Sequence, residues 1–146
     1  MSKRTILCAI DFSESSLSAL RWAFKLAELT QAQVTILFCY RLISFGDELE
    51  SSIMKRDIEA KAVEQFHDIE KKIMDFTPVP YEFITEIGFF SSRIEMYIRK
   101  SSVSMLVMGN SVIANFNEHK NLNFDQFLLK TKIPVVIVPT EINGFI

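Results

Sequence analysis

The chain has 146 residues, 49% of them hydrophobic, and a formal net charge of −2. That length and apolar content suit one domain, residues 1–146, with a core large enough to do without disulfides, and they exclude a disordered chain. Lysines and arginines are scattered singly or in short pairs such as Lys71-Lys72, so no basic face for nucleic acid is expected.

The first predicted element is the apolar run Ile6 to Ile10, which reads as a strand buried on both faces, as in a parallel sheet. Asp11 follows, then Phe12 and a serine-rich helix start, with Ser13 as N-cap and Glu14 at the positive helix end. In an open α/β sheet, ligands bind outside the carboxyl ends of the strands where the strand order reverses. Asp11 would stand at that crevice, or would only brace its own turn. Leu17, Leu20, Phe24 and Ala27 recur at helical spacing, and Thr30 to Gln33 breaks the pattern. Val34 to Tyr40 is a second β-rich run. Leu42 to Gly46 reads as a loop, with Phe45 placed to cover the crevice.

Asp47 to Phe76 has no internal Gly or Pro and predicts a long helix, with Leu49, Ile53, Ile58, Ala62, Phe66, Ile69 and Ile73 as its apolar stripe. Its His67 reads as an ordinary surface side chain. Thr77 to Pro80 stops it. Tyr81 to Ile87 alternates and predicts a half-exposed edge strand ended by Gly88. Phe90, Ile94, Tyr97 and Ile98 mark a third helix, and Val103 to Met108 a fourth strand ended by Gly109. Asn110 to Asn123, with five asparagines, reads as a mobile connection rather than a binding loop. Phe124, Phe127 and Leu128 give a short fourth helix, and Val135 to Val138 a fifth strand before a tail, Thr140 to Ile146. Strict β-α alternation means a parallel sheet with right-handed crossovers, here five strands and four helices.

Cys8 and Cys39 lie in apolar runs and read as reduced core thiols that could come near each other on adjacent strands. With His67 and His119 they show no metal-ligand spacing, so no metal is expected. A nucleophile elbow and a lysine-bearing P-loop are both missing, and Asp11 has no second strand-end acid for a phosphoacceptor site, so no catalytic residue is assigned. No apolar stretch would span a membrane, and the short run before Asp11 is no signal peptide; a cytoplasmic protein is expected.

The segments ILCAIDFSESSLSALRWAFKLA, AQVTILFCY, MLVMGN and IPVVIVP, in that order and spacing, resemble the universal stress protein family over essentially the whole chain. The resemblance implies a flavodoxin-like three-layer sandwich with strand order 3-2-1-4-5, a homodimer and a role in stress survival. One branch of that family binds ATP through a glycine at the end of the fourth strand, a second three residues on, and a later Gly-Ser or Gly-Thr. Gly109 matches the first; Val112 stands at the second; no glycine stands at Asn121 to Asn123. Val strongly disfavours the positive φ that phosphate-cradling loops often use.

The expectation is therefore a non-enzymatic homodimer acting on unidentified protein partners, without a cofactor. The alternative is an ATP-binding protein with an atypical loop, even a slow ATPase. Its candidate nucleotide residues are Asp11, Phe12, Ser13, Cys39, Tyr40, Met108, Gly109 and Asn110. For the dimer the candidates are Val135, Val136, Ile137 and Val138, because an apolar edge strand with no lysine invites pairing with another chain.

Overall fold

In a computed structural model of the chain, residues 4–42, 47–73, 78–116 and 123–140 are described. Ten elements follow one another: β1 (Thr5–Ile10), α1 (Glu14–Thr30), β2 (Gln33–Tyr40), α2 (Glu48–Ile73), β3 (Tyr81–Ile87), α3 (Phe90–Lys100), β4 (Val103–Gly109), α4 (Asn110–Phe116), α5 (Phe124–Lys130) and β5 (Val135–Val138). The strands form one parallel sheet ordered β3-β2-β1-β4-β5, a flavodoxin-like arrangement.

β1 is central and every one of its residues is buried. Its side chains alternate, as a strand requires. Ile6, Cys8 and Ile10 join Ala19, Ala23 and Ala27 of α1 and Phe66 and Ile69 of α2 on one face. Leu7 and Ala9 join Phe90 and Ile94 of α3, Val112 and Phe116 of α4, and Phe124 and Phe127 of α5 on the other. The alanines of α1 let that helix lie close on the sheet. Ser13 caps it, accepting the Ser16 amide, and Gln31 ends it in the left-handed region at φ 57°.

Three expectations need correction. The segment after Gly109 is not an unstructured connection: residues 110–116 form α4, a fifth helix, because Val112 and Phe116, four apart, both find the core. Residues 117–122, with His119 and Asn121, lie outside the described residues, as do Phe45 and the tail from 141 onward. The two cysteines do not approach each other, since Cys8 and Cys39 face opposite sides of the sheet. Finally, the apolar stripe of α2 is not buried throughout, for Leu49 is 67% and Ile53 43% exposed. A 26-residue helix is about 39 Å long, against roughly 25 Å for the strands beneath it, so its first turns overhang the sheet.

Candidate functional site

The connection from β1 leads to β2 on one side, and the connection from β3 crosses to β4 on the other. The switch point therefore lies at the carboxyl ends of β1 and β4, where Asp11 and Gly109 stand. Asp11 is half-buried there. Its Oδ1 accepts the Ser13 amide at 3.1 Å and the hydroxyls of Ser13 at 2.5 Å, Ser16 at 2.7 Å and Ser111 at 3.1 Å. Its own backbone N–H donates to Ser16 Oγ at 2.9 Å. Ser111 Oγ lies 2.6 Å from Ser13 Oγ and 2.8 Å from Ser15 Oγ, and the Ser111 amide donates to Ser15 Oγ at 3.3 Å.

Each hydroxyl carries a single proton, which orders this cluster. Ser15 donates to Ser111, Ser111 to Ser13 and Ser13 to the carboxylate, with the Ser111 proton shared toward Asp11. The reverse order would spend the Ser13 proton on Ser111 and leave the 2.5 Å contact between Ser13 Oγ and the Asp11 carboxylate without one. Burial pushes the Asp11 carboxyl upward, but the donors from Ser13, Ser16 and Ser111 outweigh it and hold the group below the usual carboxylate range.

Gly109 owes its identity to a close approach and not to an unusual φ. A Cβ there would meet Ser15 Oγ at 2.5 Å and the Ser15 backbone at 2.6 Å, so only glycine lets the first turn of α1 rest on the end of β4. Phe12 pays for the sharp turn after Asp11 with a left-handed φ of 64°, about 1–2 kcal/mol for a bulky L-residue. Its ring packs on Phe38 and Phe83, with centroids 5.0 and 6.2 Å away.

The remaining candidates spread over three environments. Met108 is fully buried among the α3–α5 helices. Asn110 is exposed and opens α4. Cys39 and Tyr40, being neighbours on a strand, point opposite ways. The Tyr40 hydroxyl donates to Glu59 of α2, and burial with this bond raises its pKa. Cys39 turns toward α3; burial, aided by the charge of Glu86 and opposed by Arg93, pushes its thiol up to about 12. Asp11, Ser13 and Gly109 are thus brought together; Phe12 turns its ring into an aromatic cluster, and Met108, Cys39 and Tyr40 are not part of the serine network.

Two features escaped sequence reasoning. Ser15, Ser16 and Ser111 complete the cluster, and the only hint was more serine after Asp11 than one helix cap needs. A cleft of about 240 Å³ opens at the carboxyl ends of β2 and β3, lined by Cys39, Tyr40, Arg41, Gly88, Phe89, Phe90 and Asn115. Gly88 shapes it with φ 140°, donating its amide to the Tyr40 carbonyl at 2.8 Å, while the Arg41 guanidinium sits 4.8 Å over the Phe89 ring. Among the described residues no group of His, Cys, Asp and Glu is arranged to hold a metal, and no helix is long and apolar enough to cross a membrane.

Solved structures share this fold at low identity. A protein of the universal stress protein family from Burkholderia pseudomallei is 21% identical, with a TM-score of 0.68 over 92% of this chain and 95% of its own. A universal stress protein in complex with cAMP is 22% identical, TM-score 0.63, over 97% of this chain and 100% of its own. The universal stress protein of Archaeoglobus fulgidus in complex with dAMP is 19% identical, TM-score 0.60, over 94% and 99%. No curated protein sequence matches the chain. The model of the universal stress protein family matches residues 3–139, all five strands included, and the chain belongs to that family.

Proposed function

We propose that this universal stress protein acts in the cytoplasm through protein contacts, as a homodimer paired along β5, and holds no ATP tightly. The observation that carries this reading is the state of the switch point. α4 starts directly after Gly109, and Val112, at the place of a phosphate-loop glycine, is fully buried in the core. The hydroxyls that could greet a phosphate already serve Ser111, Ser13 and Asp11. A phosphate would have to displace that network and sit beside the Asp11 carboxylate, a like charge.

A second reading is a nucleotide held mainly by its base and ribose. It is favoured by the cleft beside Cys39, Tyr40 and Arg41 and by the cAMP and dAMP seen in two similar structures. Titration calorimetry separates the two. Mg-ATP is expected to give no saturable heat at micromolar protein, and a low-micromolar Kd would overturn the first reading. Saturable heat with cAMP or AMP but not with Mg-ATP would establish the second.

A further inference from the structure

Away from the switch point, a groove of about 480 Å³ runs between the last turns of α3 and α5. Ile98, Phe127 and Ile133 give it an apolar floor, and Arg99, Lys130 and Lys132 line its rim with Glu95 as the sole acid. Among the described residues no acidic side chain pairs with those three cations. Arg99 and Lys130 also suit the negative ends of their helices, but that leaves Lys132 and the apolar floor unexplained. The Thr131 hydroxyl, which also lines the groove, is buried without a hydrogen-bond partner.

The same chain carries the complementary shape. The overhanging start of α2 presents Leu49 and Ile53, one helical turn apart and both exposed. Asp47, Glu48 and Glu50 surround them, all exposed, and the Asp47 carboxylate fixes the helix start by accepting the Leu49 amide at 2.9 Å. One site is an apolar floor edged by cations, the other an apolar ridge whose leading end carries acids, with Lys55 and Arg56 entering only beyond Ile53.

The topology decides how they meet. α2 follows β2, so its start lies at the carboxyl end of the strands, on the α1 face toward the β3 edge. The groove lies at the amino end of the strands, on the opposite face, beside β4 and β5. No chain can bring its own ridge to its own groove, and sites so opposed do not close about one two-fold axis. We infer that the first turn of α2 of one copy docks in the α3–α5 groove of the next, a head-to-tail contact that builds a ring or a filament. The contact is small, so it is weak and salt-sensitive. It does not use β5, and it stands or falls separately from the pairing proposed above.

Sedimentation velocity from micromolar to hundreds of micromolar protein, in low and in high salt, tests it. Species larger than a dimer are expected to grow with concentration and shrink with salt, in the native chain and equally in Ile137→Asp. Glu48→Lys with Glu50→Lys, or Arg99→Glu with Lys132→Glu, should each weaken this growth about tenfold. Mixing the two variants makes both contacts complementary again and should restore it. A native chain that never exceeds a dimer overturns the inference. So does a mixture that stays apart, or an assembly that responds to the groove variant alone, since the groove would then take some other occupant.

Discussion

Asp11 collects four donors on one oxygen, and that determines how it behaves with pH. Because its folded pKa lies below the unfolded value, its contribution to stability is present above about pH 4 and is lost as pH falls through the lower folded value. Asp11→Asn removes that dependence, since it leaves a neutral carbonyl oxygen where the donors meet a carboxylate and so weakens four charge-assisted bonds. At neutral pH it is expected to cost about 1–3 kcal/mol in urea unfolding. The native and variant curves should converge as pH drops below 4, and parallel curves would show that the serines do not favour the ionised form. Gly109 makes a second, steric prediction. An added methyl meets the α1 backbone and not the tip of a flexible side chain, so Gly109→Ala should cost about 2–3 kcal/mol, a fall of roughly 5–10 °C in Tm. An unchanged Tm would mean that α1 can step back from β4 freely.

At the scale of elements, β5 stands out. It is four residues long, lies at the sheet edge, and keeps Ile137 44% exposed while Val138 is buried. Val136 packs toward α1 and Val135 toward the opposite helices, so Ile137 lies on the Val135 side. In the proposed two-fold pairing Ile137 is used twice, once by each copy, and burying its exposed 44% contributes about 0.7–1.3 kcal/mol per copy. Ile137→Asp should therefore weaken the dimer at least tenfold while leaving the monomer about as stable as before. Light scattering with a urea titration reads both quantities. A native chain that stays monomeric at hundreds of micromolar excludes the pairing, and so does a dimer that Ile137→Asp leaves as tight as before.

The whole molecule joins two separate cores through one sheet, and each holds a cysteine. Burial raises the Cys8 thiol far above its ordinary value and pushes Cys39 up to about 12, so neither forms thiolate near neutral pH. Cys8 is expected to react with a disulfide reagent only when the sheet opens, and Cys39, which lines the cleft but stays protonated, only slowly in the native state. At pH 8 the native chain should show no fast thiol, and two in denaturant. Opening of one face alone would release a single thiol, and a fast-reacting thiol in the native state would contradict the packing around β1 or β2. The three tyrosines follow a common plan, Tyr40, Tyr81 and Tyr97 each donating to a glutamate, which ties β2 and β3 to α2 and α3.

Sequence alone determined the parallel sheet, its strand order by way of family resemblance, and the place of Asp11, because unbroken apolar runs and helical spacing are local properties. Asp11, Ser13 and Gly109 were legible as one site since each ends or begins an element. Only the tertiary structure decided what surrounds them. Ser111 comes 96 residues after Ser15, and its hydroxyl matters because α4 starts where a loop was expected. Helix formation there rests on Val112 and Phe116 reaching the core, which no window of sequence reveals. Exposure of Leu49 and Ile53 likewise depends on helix length measured against the sheet, a relation between elements and not a property of either.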